Sequence, residues 1–218
     1  MRRPLVLILM IFAVLAAGAA FWFVTRSAPK PDRTAAALLP IAAPTPQVNE
    51  LGALAPALIE PTDGFLSRIT KKPFGIFITP ETSPIPDDRF TGFHTGVDAE
   101  YSDVADEVPV RAIADGAVVA SAWARGYGGV VVLEHEIRGE MVHALYGHLD
   151  PATLPKVGAT VTKGSVIGYL GEGGTHEIDG VRKHLHFSIR PAGDINLRGY
   201  VATEEDLDGW IDPLTLWR

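Results

Sequence analysis

The chain of 218 residues contains no cysteine. That excludes disulfides, thiolate zinc sites, cysteine nucleophiles and lipid attachment through cysteine. Any metal must therefore be held by histidine, aspartate or glutamate. Positive charge is also scarce, with 19 lysines and arginines against 26 acidic residues. Five of the basic and three of the acidic residues precede Pro61, which leaves fourteen against twenty-three, a net −9, for the rest of the chain. Such a domain is not drawn to nucleic acid or to anionic lipid, and no basic stripe or internal repeat argues otherwise. What is present is a folding composition, 47% hydrophobic and 21% charged, with material for a core.

One long apolar run stands at the N-terminus, from Leu5 to Val24 behind Met1-Arg2-Arg3-Pro4. Twenty residues at about 1.5 Å each span a hydrocarbon core, and the two arginines should stay cytoplasmic, leaving all that follows on the outer side. Residues 1–26 are thus expected to form a transmembrane signal-anchor, giving a single-pass membrane protein whose domain faces the periplasm or cell wall. The small residues Ala16 to Ala20 also fit a secretory cleavage region, after which the domain would be secreted. Both readings export it. Residues 27–61 are rich in Ala and Pro and read as a spacer, with the functional domain at 62–218.

Beyond Pro61 the chain reads as short strands punctuated by turns at Asp115-Gly116, Arg138-Gly139 and Lys163-Gly164. The fold class expected is mainly β, an antiparallel sandwich or partly open barrel. One helix is expected at Thr203 to Gly209, where Thr203 caps and three acidic residues suit the positive end. The spacing of Trp210, Ile211, Leu214 and Trp217 points to a terminal segment packed on the sheet.

Seven histidines are distributed over this domain. In "KHLHF" the strand period of two puts His184 and His186 on one face, with Leu185 and Phe187 on the other. In "FHTGVDAE" a nitrogen from His94 and a carboxylate from Asp98, four residues apart, can meet at one point, a donor pair that suits zinc. In "ALYGHLD" alternation places Val142, Ala144, Tyr146 and His148 on one face. His143 then falls on the opposite face. His135 reads as structural, and the charged loop around His176 as the border of a cleft, either a plain exposed loop, the favoured reading, or a source of substrate contacts through His176, Glu177 or Arg182. The glycine-rich "GYGGV" reads as a turn before a strand.

The order "GFHTGVD", "VPVRAIADGAVVASAWARGYGGVVVLEH", "ALYGHLD", "VTKGSVIGYLG", "KHLHFSIRP" closely resembles the lysostaphin-type, LytM-domain zinc metallopeptidases of bacterial cell walls, over residues 73–190. The resemblance implies Zn²⁺ as cofactor, with His94, Asp98 and His186 as metal ligands and His148 and His184 as catalytic histidines. It implies hydrolysis of peptide cross-links or stem peptides in peptidoglycan. Two alternatives stand beside it: a non-catalytic LytM-like module that binds wall material or activates an amidase, and a zinc peptidase acting on a protein. Three protein ligands leave zinc an open position, as hydrolysis requires. Which catalytic histidine performs which step is left open by the sequence.

Overall fold

The computed structural model describes residues 58–218. The apolar run at 5–24 and the spacer as far as residue 57 lie outside the described residues. Among the described residues no helix is long and apolar enough to cross a membrane. The last spacer residues already bond to the domain: Ile59 N donates to Ile113 O at 3.3 Å and Arg111 N to Pro61 O at 2.8 Å.

The described chain is mainly β. Its strands are β1 (Phe77–Ile78), β2 (Gly92–His94), β3 (Val97–Glu100), β4 (Pro109–Arg111), β5 (Gly116–Ala124), β6 (Gly128–Ile137), β7 (Glu140–Leu149), β8 (Thr160–Val161), β9 (Val166–Tyr169), β10 (His184–Pro191) and β11 (Tyr200–Val201). A six-stranded sheet runs in the order β3-β10-β7-β6-β5-β8, beside a three-stranded sheet β1-β2-β11 and the pair β4-β9. Every pairing is antiparallel, and among the described residues the large sheet keeps two open edges rather than closing into a barrel.

Alternation in β10 buries Leu185, Phe187 and Ile189 completely against Val142, Ala144 and Tyr146 of β7 and Val131 and Leu133 of β6. Each of the larger side chains contributes roughly 1.5–3 kcal/mol through that burial. The other face of the same strands carries a second cluster of Tyr127, Val130, Val132 and Leu145. Strand β6 is therefore covered on both faces, which is why "GGVVVL" is a continuous apolar run instead of an alternating one.

Of the three turn signals, Arg138-Gly139 makes a tight hairpin between β6 and β7, with φ of 56° and 84°. The other two connect different sheets: β4 and β5 flank Asp115-Gly116 but pair with β9 and β6 respectively, and β8 and β9 diverge in the same way around Lys163-Gly164.

The expected helix at Thr203 to Gly209 is shorter and tighter, a 3-10 turn over Glu205–Gly209. Thr203 does act at its start, its Oγ1 accepting from Asp206 N at 3.2 Å while Asp206 Oδ2 accepts from Thr203 N at 3.2 Å. Gly209 and Pro213 stop propagation after one turn. A second 3-10 turn, Pro213–Trp217, brings Trp217 onto Phe65 and Phe187, with ring centroids 5.6 and 6.1 Å away. The terminal segment thus packs on the sheet as its spacing indicates. A four-residue α-helix, α1 (Phe65–Arg68), had no sequence signal and supplies Phe65 to the core.

Candidate metal centre

His94 ends β2 and Asp98 lies in β3, so the four-residue spacing spans a change of sheet. The chain crosses at Thr95-Gly96, pressed so closely on β10 that a Cβ at residue 96 would stand 2.4 Å from Phe187 O. Register then completes the group, because His186 of β10 pairs directly with Asp98 of β3. All three residues are buried.

Their ligand atoms converge. His94 Nε2 lies 3.0 Å from His186 Nδ1 and 3.2 Å from Asp98 Oδ1, and His186 Nδ1 lies 3.0 Å from Asp98 Oδ1. Donors on a tetrahedral zinc with bonds of about 2.0–2.1 Å stand roughly 3.3–3.4 Å apart, so the group needs almost no adjustment to hold that ion. His94 Nδ1 donates to Pro73 O at 3.2 Å, which leaves Nε2 as a lone-pair donor toward the centre. Burial pushes the His186 imidazole down to about 4, against the pull of Asp98. Burial alone would raise Asp98, but His94 and His184 beside it hold the carboxyl well below its ordinary value. Neutral imidazole and ionised carboxylate are the forms that bind a metal, and the residues present fit zinc.

His148 reaches the centre by a route that alternation does not show. Val142, Ala144 and Tyr146 face the core, but Leu149 takes the next core position and His148 turns to the other side. The pairing slips at this point: Gly129 faces Leu149 and Val130 faces Gly147, so His148 is the extra residue of a β-bulge. Its φ of 67° is left-handed, a costly backbone for a non-glycine residue. The same bulge corrects the placing of His143, which lies on the side of the strand to which His148 turns. It is spent on Glu134, Nε2 to Oε2 3.4 Å.

His148 and His184 rings lie 4.1 Å apart between centroids. His148 Nδ1 donates to Tyr127 O at 2.9 Å and His184 Nδ1 to Arg182 O at 2.7 Å, so both rings are held by main-chain carbonyls. Burial, with His184 and His186 adding to it, holds His148 well below the usual histidine value, so it is an uncharged base near neutral pH. His184 Nε2 sits 3.4 Å from Asp98 Oδ2. All five residues marked by the sequence are therefore brought together.

A cavity of about 410 Å³ opens over this group. One wall is the segment Ile85 to Phe90 and another is Gly180 to Arg182, tied together by the Arg89–Asp179 ion pair. The charged loop does border the cleft, but of the three candidates named in it only Arg182 lines the cavity; His176 stacks on Trp123 instead, centroids 4.8 Å apart. Sequence reasoning missed Lys72, buried in an ion pair with Asp88, and Tyr127 and Tyr200, whose rings lie 5.3 Å from His186 and 5.1 Å from His94. Tyr127 stood in a glycine-rich turn, the only signal it offered. His135 is structural as expected, bonding Asp115 O at 2.9 Å away from the site.

Comparison with known proteins agrees with this geometry. Residues 92–196 match the model of peptidase family M23. The chain is 42% identical over 84 residues to the murein hydrolase activator EnvC of Escherichia coli (strain K12), covering 38% of this chain and 18% of that protein. It is 34% identical over 100 residues to the DD-carboxypeptidase/endopeptidase Mpg of Neisseria meningitidis serogroup B, covering 46% of this chain and 20% of Mpg. The matched region thus spans about a fifth of the length of these curated relatives. Among solved structures, the catalytic domain of the antimicrobial peptidase lysostaphin from Staphylococcus simulans aligns with a TM-score of 0.47 at 24% identity, over 72% of this chain and 98% of that one. The matched segment encloses all five residues, so the part of the chain that holds them, residues 92–196, is similar to peptidase family M23.

Proposed function

We propose that the protein is a zinc metallo-endopeptidase that hydrolyses peptide cross-links or stem peptides of bacterial peptidoglycan. The observation that carries this reading is the meeting of three ligand atoms, 3.0–3.2 Å from one another, beside two imidazoles each fixed through Nδ1 by a main-chain carbonyl. Zinc held by His94, Asp98 and His186 supplies a Lewis acid that polarises a carbonyl and brings the pKa of water to roughly 7.

The chain's own residues do the rest. His148, with Nδ1 committed to Tyr127 O, presents Nε2 as the acceptor for a proton from the attacking water. His184, fixed through Nδ1 by Arg182 O, stands next to it where charge develops on the carbonyl oxygen and where the leaving amine must gain a proton. The two rings share these tasks. The apolar segment at 5–24 anchors or exports the domain, and the spacer lets it reach the wall.

The similarity to EnvC, by name an activator, favours a second reading in which the domain stimulates another hydrolase. Incubating the full chain with purified peptidoglycan, alone and with a wall amidase, separates the two. An endopeptidase releases fragments with new peptide termini with no amidase present, and His184→Ala abolishes them. An activator yields only faster amidase products, which would overturn the proposal.

A further inference from the structure

The geometry points to Arg182 as a positioning residue that holds Asp98 with one carboxylate oxygen toward the metal and the other turned away. This rests on the zinc reading above. Strand β3 has a period of two, so Asp98 and Glu100 stand side by side on one face, both largely buried. Two carboxylates so placed repel, and each costs free energy unless a cation lies between them.

Arg182 is that cation. Its Nε donates to Glu100 Oε2 at 2.8 Å and its Nη2 to Glu100 Oε1 at 2.6 Å, and the same Nη2 reaches Asp98 Oδ2 at 2.9 Å. Oδ2 is thereby occupied, while Oδ1 alone faces His94 and His186. Asp98 then offers a single oxygen to the ion, which keeps the three-ligand count and the open position. The main chain of the same residue sets the other half of the site, since Arg182 O fixes His184 Nδ1. The adjacent Lys183 cannot substitute, because its ammonium is held by Val104 O and Asp106 O at 3.0 Å each. A planar fork bonded to two carboxylates is a task for arginine; a lysine ammonium reaches one of them well.

The test is zinc affinity of the full chain, measured by competition with a chromophoric chelator at fixed pH, for the parent protein, Arg182→Gln and Arg182→Lys, with circular dichroism to confirm folding. The glutamine variant should weaken zinc binding about 10- to 100-fold, with the lysine variant between it and the parent. Affinities of folded variants within about threefold of the parent, whatever their melting temperatures, would overturn the role. Should the glutamine variant not fold, the lysine variant decides by the same threshold. A parent chain that binds no zinc overturns the zinc reading itself, a result distinct from an unchanged Arg182 variant.

Discussion

His148 and His184 meet with ring centroids 4.1 Å apart only because His148 is the extra residue of a bulge, carried at φ 67°. Continued alternation would have put its imidazole in the apolar core with Tyr146. The strained backbone is thus what converts a core position into a place over the metal ligands.

That strain should be measurable. His148→Gly relaxes the left-handed residue whereas His148→Ala does not, so the glycine variant should be the more stable of the two by about 1 kcal/mol in urea unfolding. Equal stability would mean that the backbone carries no such cost.

Metal binding and catalysis should separate by residue. His186→Ala, and likewise His94→Ala, should lose zinc and activity together. His148→Ala and His184→Ala should keep one zinc per chain by elemental analysis and lose about 10²–10⁴-fold in turnover. Full zinc retention in His186→Ala would contradict the ligand set.

Gly147 faces His186 across the sheet, and a methyl group there would stand 2.4 Å from Tyr127 Cδ1 and 3.4 Å from His186 Cβ. Gly147→Ala should therefore cost about 1–3 kcal/mol, as overpacking does, and lower turnover by displacing the Tyr127 ring from His148. Chemical denaturation and a turnover assay check the two effects separately.

The metal-free domain should lose stability in acid. Burial lowers the pKa of His135, which titrates near 6.5 in an unfolded chain. Below about pH 6.5 the unfolded chain binds a proton that the folded one does not, so stability falls with pH until the folded pKa is reached; above 6.5 the group contributes no slope. His135→Gln should flatten the stability profile between pH 7.5 and 5 in urea melts, leaving the part due to the buried site histidines.

Much of this was legible in the residues. The period of two in "HLHF" and the tight hairpin at Arg138-Gly139 depend on local geometry, and both stand in the fold as the sequence indicates. His94 and Asp98 were legible as a pair, but not the change of sheet between them, since that rests on the approach of Gly96 to Phe187 O, a contact 91 residues distant in sequence. The bulge at His148 was hidden for the same reason: it is a property of register against β6, not of "ALYGHLD". Lys72 reaches the cavity from a loop and Tyr200 from β11, whose register against β2 sets it opposite His94, and no local periodicity encodes either. Arg182 was legible as a candidate contact in the loop bordering the cleft but not as the partner of Asp98 and Glu100, because both lie more than 80 residues upstream.

The most direct test of a zinc endopeptidase is mass spectrometry of the soluble products released from purified peptidoglycan by the full chain, with zinc, after chelation, and after zinc is restored. Peptide fragments with new amino termini should form, vanish with the chelator and return with the metal. Products that survive complete removal of zinc, or no products from folded and zinc-loaded protein, would contradict it.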